Sequence, residues 1–232
     1  NKNVTLGTFS SSNSNTRSLT LGTSTINLSG SGTVWTTTTT TGLTFSGASS
    51  TINLTNTSTT ARTFAGGGLT YGTVSIGGST GISTLTVSGN NTFTTFSSTK
   101  TVAHTIIVSG NFSVTNWTIT GTSGNVVTVN SSAAGTQRTI TYGGSQTNID
   151  YMSFTDISFS YTLGASNPYL VYAGANSTNG GNNSGIAFID GTTKKAYLLT
   201  TGTSWTVPSD WNSSNNSIYM FGAGGGGANA AV

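Results

Sequence analysis

The segment Ser24-Thr25-Ile26-Asn27-Leu28 recurs unchanged as Ser50-Thr51-Ile52-Asn53-Leu54, 26 residues further along the chain (24 to 50). A second segment, Val87-Ser88-Gly89-Asn90, returns after 21 residues as Val108-Ser109-Gly110-Asn111 (87 to 108). The first pair alternates apolar and polar positions, the period of a β-strand, and the second pair runs directly into turn residues. Repeats of about 20 to 30 residues that each carry short strands are typical of solenoids.

Alternation of one apolar and one small polar residue continues through most of the chain. It appears in Leu43-Thr44-Phe45, Val74-Ser75-Ile76, Phe112-Ser113-Val114 and Ile140-Thr141-Tyr142. No stretch places apolar residues three and four apart over about ten positions, as an amphipathic helix requires. We therefore predict an all-β fold, a right-handed parallel β-solenoid (β-helix) over roughly residues 5 to 190, with a β-sandwich as the alternative. The side chains expected to point into its core are Ile26, Leu28, Ile52, Leu54, Leu85, Val87, Ile106, Val108, Val127 and Val129.

The composition agrees with this architecture. Charged residues make up 5% of the 232 residues, against roughly 25% in an ordinary soluble domain. Coils of a solenoid stack at about 4.8 Å, so like side chains lie above one another and stacked charges would repel. Threonine, asparagine and serine can instead form hydrogen-bonded ladders, and glycine permits the sharp corners between strands.

Several classes of partner are excluded by the same composition. The seven Lys and Arg residues are scattered, with one adjacent pair, Lys194-Lys195, so the clustered cations of a nucleic-acid surface are missing. Cysteine is absent, which excludes disulfides and thiolate metal sites. No run approaches the roughly 20 apolar residues of a membrane-spanning helix. We expect no cofactor, no metal, no nucleic acid and no membrane span.

The composition changes near residue 149. Aromatic residues then become frequent, namely Tyr151, Phe154, Phe159, Tyr161, Tyr169 and Tyr172. We predict that the solenoid spans residues 1–190 and that its aromatic-rich region, 149–190, closes the open core. Residues 191–232, which run into Gly224-Gly225-Gly226-Gly227, are interpreted as the start of a glycine-rich β domain that is cut short here.

The distribution of carboxylates argues against catalysis. Residues 1–149 contain no Asp or Glu, and the chain as a whole contains four Asp and no Glu. Glycan-cleaving β-helical proteins need paired carboxylates or carboxylate-bound calcium. Asp150 and Asp156 are an even number of residues apart, so one strand face could present both, but turn and strand-end positions are the favoured interpretation. We predict no catalytic residue and no enzymatic activity.

Histidine and tryptophan provide the remaining candidates for a site. His104 is the only histidine and has no nearby acid in the sequence, so a hydrogen-bonded or solvent-facing role is expected rather than a metal site or a triad. Trp117 alternates with Ile119 and is interpreted as interior packing. Trp205 and Trp211 flank a loop-like segment and are the candidate contacts to a glycan or receptor.

The run Thr36 to Thr41 suggests an ice-binding face. Such a face needs Thr-x-Thr at the same position of every coil, whereas threonines are spread over the whole chain and the coil length varies. Ice binding is therefore disfavoured.

Two segments resemble proteins of tailed bacteriophages. Residues 124–189, with Val126-Val127-Thr128-Val129-Asn130, Ile149-Asp150-Tyr151-Met152 and Tyr172-Ala173-Gly174-Ala175-Asn176, resemble β-helical parts of phage fibre and tail proteins. Residues 196–228, with Trp205-Thr206-Val207-Pro208 followed by Phe221-Gly222-Ala223-Gly224, are similar to the glycine-rich domains of phage tail fibres. Together these segments cover less than half of the chain.

The resemblance implies a virion structural protein, a tail fibre or a tail-associated module for host-surface attachment. Its implied partners are copies of itself in a homotrimer, other virion tail proteins, and a glycan or protein of the host surface. A bacterial or archaeal extracellular adhesin or fibre subunit is the alternative, and a depolymerising enzyme is disfavoured by the missing carboxylates.

Overall fold

The structure is a computed structural model that describes residues 1–78, 83–145, 147–161 and 171–189, together with Ser204 and Thr206. The chain divides into two compact units, Asn1–Ala196 and Tyr197–Val232. Apart from Ser204 and Thr206, the second unit and the glycine-rich segment 191–232 lie outside the described residues. All of the assigned strands belong to the first unit.

All twenty elements assigned in the described residues are β-strands. They are β1 (Asn3–Leu6), β2 (Phe9–Ser10), β3 (Arg17–Thr20), β4 (Thr25–Leu28), β5 (Gly32–Thr36), β6 (Leu43–Leu54), β7 (Arg62–Ala65), β8 (Thr70–Ile76), β9 (Thr84–Ser88), β10 (Thr92–Ser98), β11 (His104–Val108), β12 (Phe112–Thr118), β13 (Val127–Ser131), β14 (Arg138–Tyr142), β15 (Thr147–Ile149), β16 (Met152–Thr155), β17 (Ile157–Tyr161), β18 (Val171–Ala173), β19 (Thr178–Asn179) and β20 (Ile186–Phe188).

The strands stack into two long parallel sheets. The first follows the order β1-β4-β6-β8-β10-β12-β14-β17, and the second follows β2-β5-β7-β9-β11-β13-β16-β19. Successive strands along the chain alternate between the sheets for most of the unit, so the backbone winds as a β-solenoid of about seven turns. A three-stranded parallel sheet, β15-β18-β20, is added in the last coils. The predicted parallel solenoid is confirmed, and the antiparallel pairing of a β-sandwich does not occur between these strands.

The repeated segments of the sequence lie directly on one another. Ile26 pairs with Ile52 and Asn27 with Asn53 where β4 meets β6. Val87 pairs with Val108 where β9 meets β11. The repeats are therefore successive coils. Identical side chains in register can make the same packing and hydrogen-bonding contacts in each coil.

Differences in coil length are absorbed at the corners. Along the first sheet the register advances by 26, 22 and 22 residues, from Thr25 to Thr51, Thr73 and Thr95. The coil from Asn3 to Thr25 carries an additional strand, β3, which pairs with the first part of β6 in the coil that follows. The next coil shortens at Gly67, whose φ of 67° and close approach to the Thr37 carbonyl leave no room for a side chain.

The core is a continuous apolar column between the sheets. The ten side chains expected to point inward are all buried, with exposures between 0% and 6%. Aromatic rings follow the axis from the first coils onward: Phe9 lies 4.4 Å from Trp35, and Trp35 lies 5.9 Å from Phe64, measured between ring centroids. Aromatic packing is thus a property of the whole column and is not confined to residues 149–190.

One polar network is enclosed in this column. Thr37, the second residue of the run Thr36 to Thr41, is fully buried. Its hydroxyl lies 2.8 Å from the Tyr71 hydroxyl, which donates to the Gly66 carbonyl at 2.7 Å. Trp35 Nε1 also donates to the Tyr71 hydroxyl, at 3.1 Å. Burial raises the pKa of Tyr71 to about 12, so its hydroxyl remains a donor at physiological pH.

We expect Ile52→Ala to lower the free energy of unfolding by about 2–5 kcal/mol, because Ile52 is fully buried and its removal leaves a cavity between two coils. Thr51→Ala is the matched control on the outward side of the same strand, with an expected change of about 0.5 kcal/mol or less. Denaturant unfolding followed by circular dichroism measures both. Equal costs for the two variants would contradict the assignment of inward and outward faces.

Candidate functional site

The first described carboxylate, Asp150, connects three successive coils. Its Oδ1 accepts hydrogen bonds from the backbone N–H groups of Tyr151 at 2.8 Å and Asn176 at 3.0 Å. Its Oδ2 accepts from Asn176 Nδ2 at 2.8 Å. In the preceding coil, Thr120 Oγ1 accepts from the Asp150 N–H and donates to the Asp150 carbonyl. The carboxylate therefore holds stacked corners together.

The charge state of Asp150 follows from these contacts. Burial by itself would raise the pKa of its carboxyl group, but the hydrogen bonds from Asn176, Tyr151 and Ser177 outweigh burial and lower the pKa below its usual value. A carboxylate held in its ionised form is a poor proton donor, so Asp150 is unsuited to general-acid chemistry near neutral pH.

Asp156 has the same structural role at a different corner. Its Oδ2 accepts a hydrogen bond from the Gly135 N–H at 2.9 Å, and its Oδ1 accepts one from Asn182 Nδ2 at 2.6 Å. The residue is 6% exposed and has a left-handed backbone with φ of 58°. Like Asp150, it joins the corner of the coil before to the corner of the coil after.

The possibility that one strand face presents both carboxylates is wrong. Asp150 precedes β16 and Asp156 follows it, so the two residues lie in corners at opposite ends of that strand. Hydrogen-bond donors of neighbouring coils occupy both side chains. The turn and strand-end interpretation describes them correctly, whereas Asp190 and Asp210 lie outside the described residues.

His104 is buried and hydrogen-bonded. It is 3% exposed, with Nδ1 at 2.9 Å from the Val102 carbonyl and Nε2 at 3.0 Å from Ser98 Oγ. Burial lowers its pKa, and the positive charges of Lys100 and Arg62 lower it further. Within the described part of the chain, no group of three or more His, Cys, Asp or Glu side chains is placed to hold a metal ion.

The tryptophans divide between core and undescribed residues. Trp117 is 2% exposed and its Nε1 donates to the Ile119 carbonyl at 3.0 Å, so it is an interior residue. Trp35 is fully buried. Trp205 and Trp211, the candidate contacts to a glycan or receptor, lie outside the described residues.

The outer face of the first sheet carries two ordered columns of small polar side chains. One column contains Thr25, Thr51, Thr73 and Thr95, and the other contains Asn27, Asn53, Ser75 and Ser97. Asn53 Nδ2 donates to Asn27 Oδ1 at 3.0 Å, and Asn27 Nδ2 donates to Asn3 Oδ1 at 2.8 Å. Ser75 is buried at 8% exposure and the other members are partly exposed, so the columns form an uncharged, hydrogen-bonding surface that is interrupted at Ser75. Because the second column holds Asn and Ser, the face is not a Thr-x-Thr array.

The sequence interpretation missed two buried cations, Arg62 and Lys100, which are 1% and 8% exposed. One of them had a signal in the sequence. Arg62 alternates with Phe64 in a strand pattern, so both side chains have the parity of inward positions. The corner position of Lys100 has no such signal.

Comparison with known proteins gives no relative from which a function could be transferred. No protein-family model, curated protein or solved structure matches the chain. None of the described residues forms a helix of the length and hydrophobicity needed to cross a membrane.

We expect Asp150→Asn to destabilise the protein at pH 7 by about 1 kcal/mol, since an amide nitrogen would face the N–H donors of Asn176. The pKa of Asp150 is lower in the folded state than in the unfolded state, so its contribution is complete above the unfolded value near 3.8. The contribution is lost as the pH falls through the folded value. The deficit of the variant should therefore shrink on acidification from pH 6 to pH 3.

Asn176→Ala provides the control for this experiment. It removes the partner and leaves the carboxylate in place, so the double variant should cost less than the sum of the two single variants. A deficit of Asp150→Asn that is independent of pH would contradict the role assigned to the charge.

Proposed function

We propose that this chain is a non-catalytic shaft module of a host-attachment fibre, a tail fibre or tail-associated structural protein of a tailed phage. The observation that carries the proposal is the unbroken parallel stacking of about seven coils. Such stacking makes an extended body whose length is set by the number of coils, at about 4.8 Å for each. An extended body of this kind suits a spacer between a virion and a cell surface.

The use of the carboxylates supports a structural role. The Asp156 carboxylate accepts hydrogen bonds from the coils on either side, the Asp150 carboxylate accepts them from its own coil and the next, and the two residues lie at opposite ends of β16. A retaining glycosidase needs two carboxyl groups about 5–5.5 Å apart, and an inverting enzyme needs them about 6.5–9.5 Å apart, in both cases facing a substrate. Two carboxylates that lie in separate corners and are hydrogen-bonded there favour a structural role over a glycan-hydrolysing one.

The outer surface supports attachment through shape and hydrogen bonding. Columns of Thr, Asn and Ser side chains present donors and acceptors at regular intervals without charge. Such a surface can pack against a second copy of the chain without electrostatic repulsion. We extend the proposal to a homotrimer, because closed rotational symmetry would cover the long polar faces of three solenoids.

An extracellular adhesin or fibre subunit of a bacterium or archaeon is the second candidate. The same parallel stacking favours it, since a spacer anchored in a cell envelope needs the same extended body as one anchored in a virion. The two candidates differ in where the protein is found.

The location of the protein tests the function. Antibodies against residues 1–189, used in immunogold electron microscopy of a producing culture, should label the tails of virus particles. Labelling of cell surfaces would support the adhesin instead. Labelling of neither structure, with the antigen recovered from the cell interior, would contradict both.

The oligomeric state tests the trimer separately. Light scattering or native mass spectrometry of the full-length polypeptide at micromolar concentration should give three times the mass of one chain. A stable monomer under these conditions would refute the trimer and would leave the immunogold result unaffected.

A further inference from the structure

Three basic side chains share one corner of the solenoid. Arg62, Lys100 and His104 are 1%, 8% and 3% exposed, and they lie where strands of the first sheet turn into strands of the second. We call these three residues the basic corner. Lys and Arg side chains are rarely buried in proteins unless they are paired with an opposite charge. Burial of two of them beside a histidine therefore requires a physical explanation.

Stacking of the coils brings these residues together. Lys100 Nζ donates to the Gly78 carbonyl at 2.8 Å, which belongs to the coil before. Arg62 Nη1 donates to the Leu54 carbonyl at 3.1 Å and to the Asn56 carbonyl at 3.5 Å. Gly78 packs so closely against Asn56 that a side chain on Gly78 would overlap the Asn56 carbonyl oxygen. Both cations therefore reach the same short stack of corner carbonyls.

Electrostatic coupling agrees with this geometry. The charge of Arg62 contributes, after burial, to lowering the pKa of Lys100. The charges of Lys100 and Arg62 also contribute to lowering the pKa of His104, and they are the charged groups that act on this ring. The three side chains share one electrostatic environment.

The contacts described for the basic corner are all neutral. Arg62 Nη2 donates to Ser83 Oγ at 2.8 Å, and its Nε is buried without a hydrogen-bond partner. The ammonium group of Lys100 has three donors, one of which is used by the Gly78 carbonyl. Residues 1–149 contain no Asp or Glu. The described carboxylates, Asp150 and Asp156, accept hydrogen bonds at other corners.

A buried charge is costly unless it is paired with an opposite charge. Guanidinium and ammonium groups bind oxyanions through charge-assisted hydrogen bonds, and a tetrahedral oxyanion offers several acceptor atoms at once. We propose that the basic corner binds a small inorganic oxyanion of the sulfate or phosphate class, with Arg62 and Lys100 as its charge partners.

His104 couples the site to pH through its hydrogen bonds. The Val102 carbonyl can only accept, so Nδ1 carries the hydrogen of the neutral ring and Nε2 accepts from the Ser98 hydroxyl. When the ring is protonated, Nε2 donates to Ser98 Oγ, whose hydrogen then points to the Ile76 carbonyl 3.3 Å away. The corner can thus take a third positive charge without rearranging, and anion binding becomes tighter as the pH falls.

The binding experiment uses the full chain and sulfate, which does not titrate between pH 5 and pH 8. The unfolding midpoint is measured at rising low-millimolar sulfate, with sodium chloride keeping the ionic strength constant. We expect a saturable rise for the wild type and for Lys2→Met, which removes an exposed cation. Lys100→Met should weaken the apparent affinity on the order of tenfold or more, since it removes a charged hydrogen-bond donor. The same sulfate response in all three proteins would overturn the proposal.

A second measurement needs no variant. Sulfate should shift the imidazole NMR resonances of His104 in the wild type and raise the midpoint of its titration, because bound sulfate favours the protonated ring. Unchanged His104 resonances at saturating sulfate would overturn the proposal even if Lys100→Met failed to fold. A parallel titration with acetate tests the ligand class, and equal stabilisation by acetate would contradict the assignment to tetrahedral oxyanions.

Discussion

Parallel backbone hydrogen bonding between successive coils, at a spacing of about 4.8 Å, is the constraint on which the rest of this structure depends. It places every side chain directly above and below its counterparts, so a residue is tolerated only if it can stack. Ile on Ile, Asn on Asn and Thr on Thr satisfy this condition. A column of like charges does not, which accounts for a charged fraction of 5%.

The same constraint explains where the few charged residues lie. Asp150 and Asp156 are found at corners, where backbone N–H groups of adjacent coils converge on their carboxylates. Arg62 and Lys100 are also found at a corner, where they donate to stacked carbonyls. Corners interrupt the regular ladders, and backbone groups such as the Gly135 and Asn176 N–H groups are satisfied there by charged side chains.

The proposed function and the proposed anion site rest on different features of the molecule. The fibre proposal rests on the extended body, the uncharged outer columns and the structural use of Asp150 and Asp156. The proposal of an anion site rests on two buried cations, Arg62 and Lys100, whose hydrogen-bond partners among the described residues are all uncharged. If the corner does hold an oxyanion, the ion contributes to the stability of a spacer without contacting its target.

The sequence by itself determined the coil. Period-two alternation and the verbatim repeat of Ser24 to Leu28 identify both the strand and the register, because a strand buried on one face must keep its parity at every level. The ten inward positions follow from the same rule. The sequence also indicated that Asp150 and Asp156 belong to turns, from the preference of aspartate for such positions.

The tertiary structure decided what happens at the corners. Neither the pairing of Asp150 with Asn176 nor the grouping of Arg62, Lys100 and His104 is visible in the sequence, since the residues involved are 4 to 42 positions apart (100 to 104, 62 to 104). These residues come together when coils of unequal length stack. The corners have no repeating pattern in the sequence, so their contacts cannot be predicted from it. Local periodicity therefore specifies the strands, whereas the contacts that give individual residues their roles depend on the stacking of complete coils.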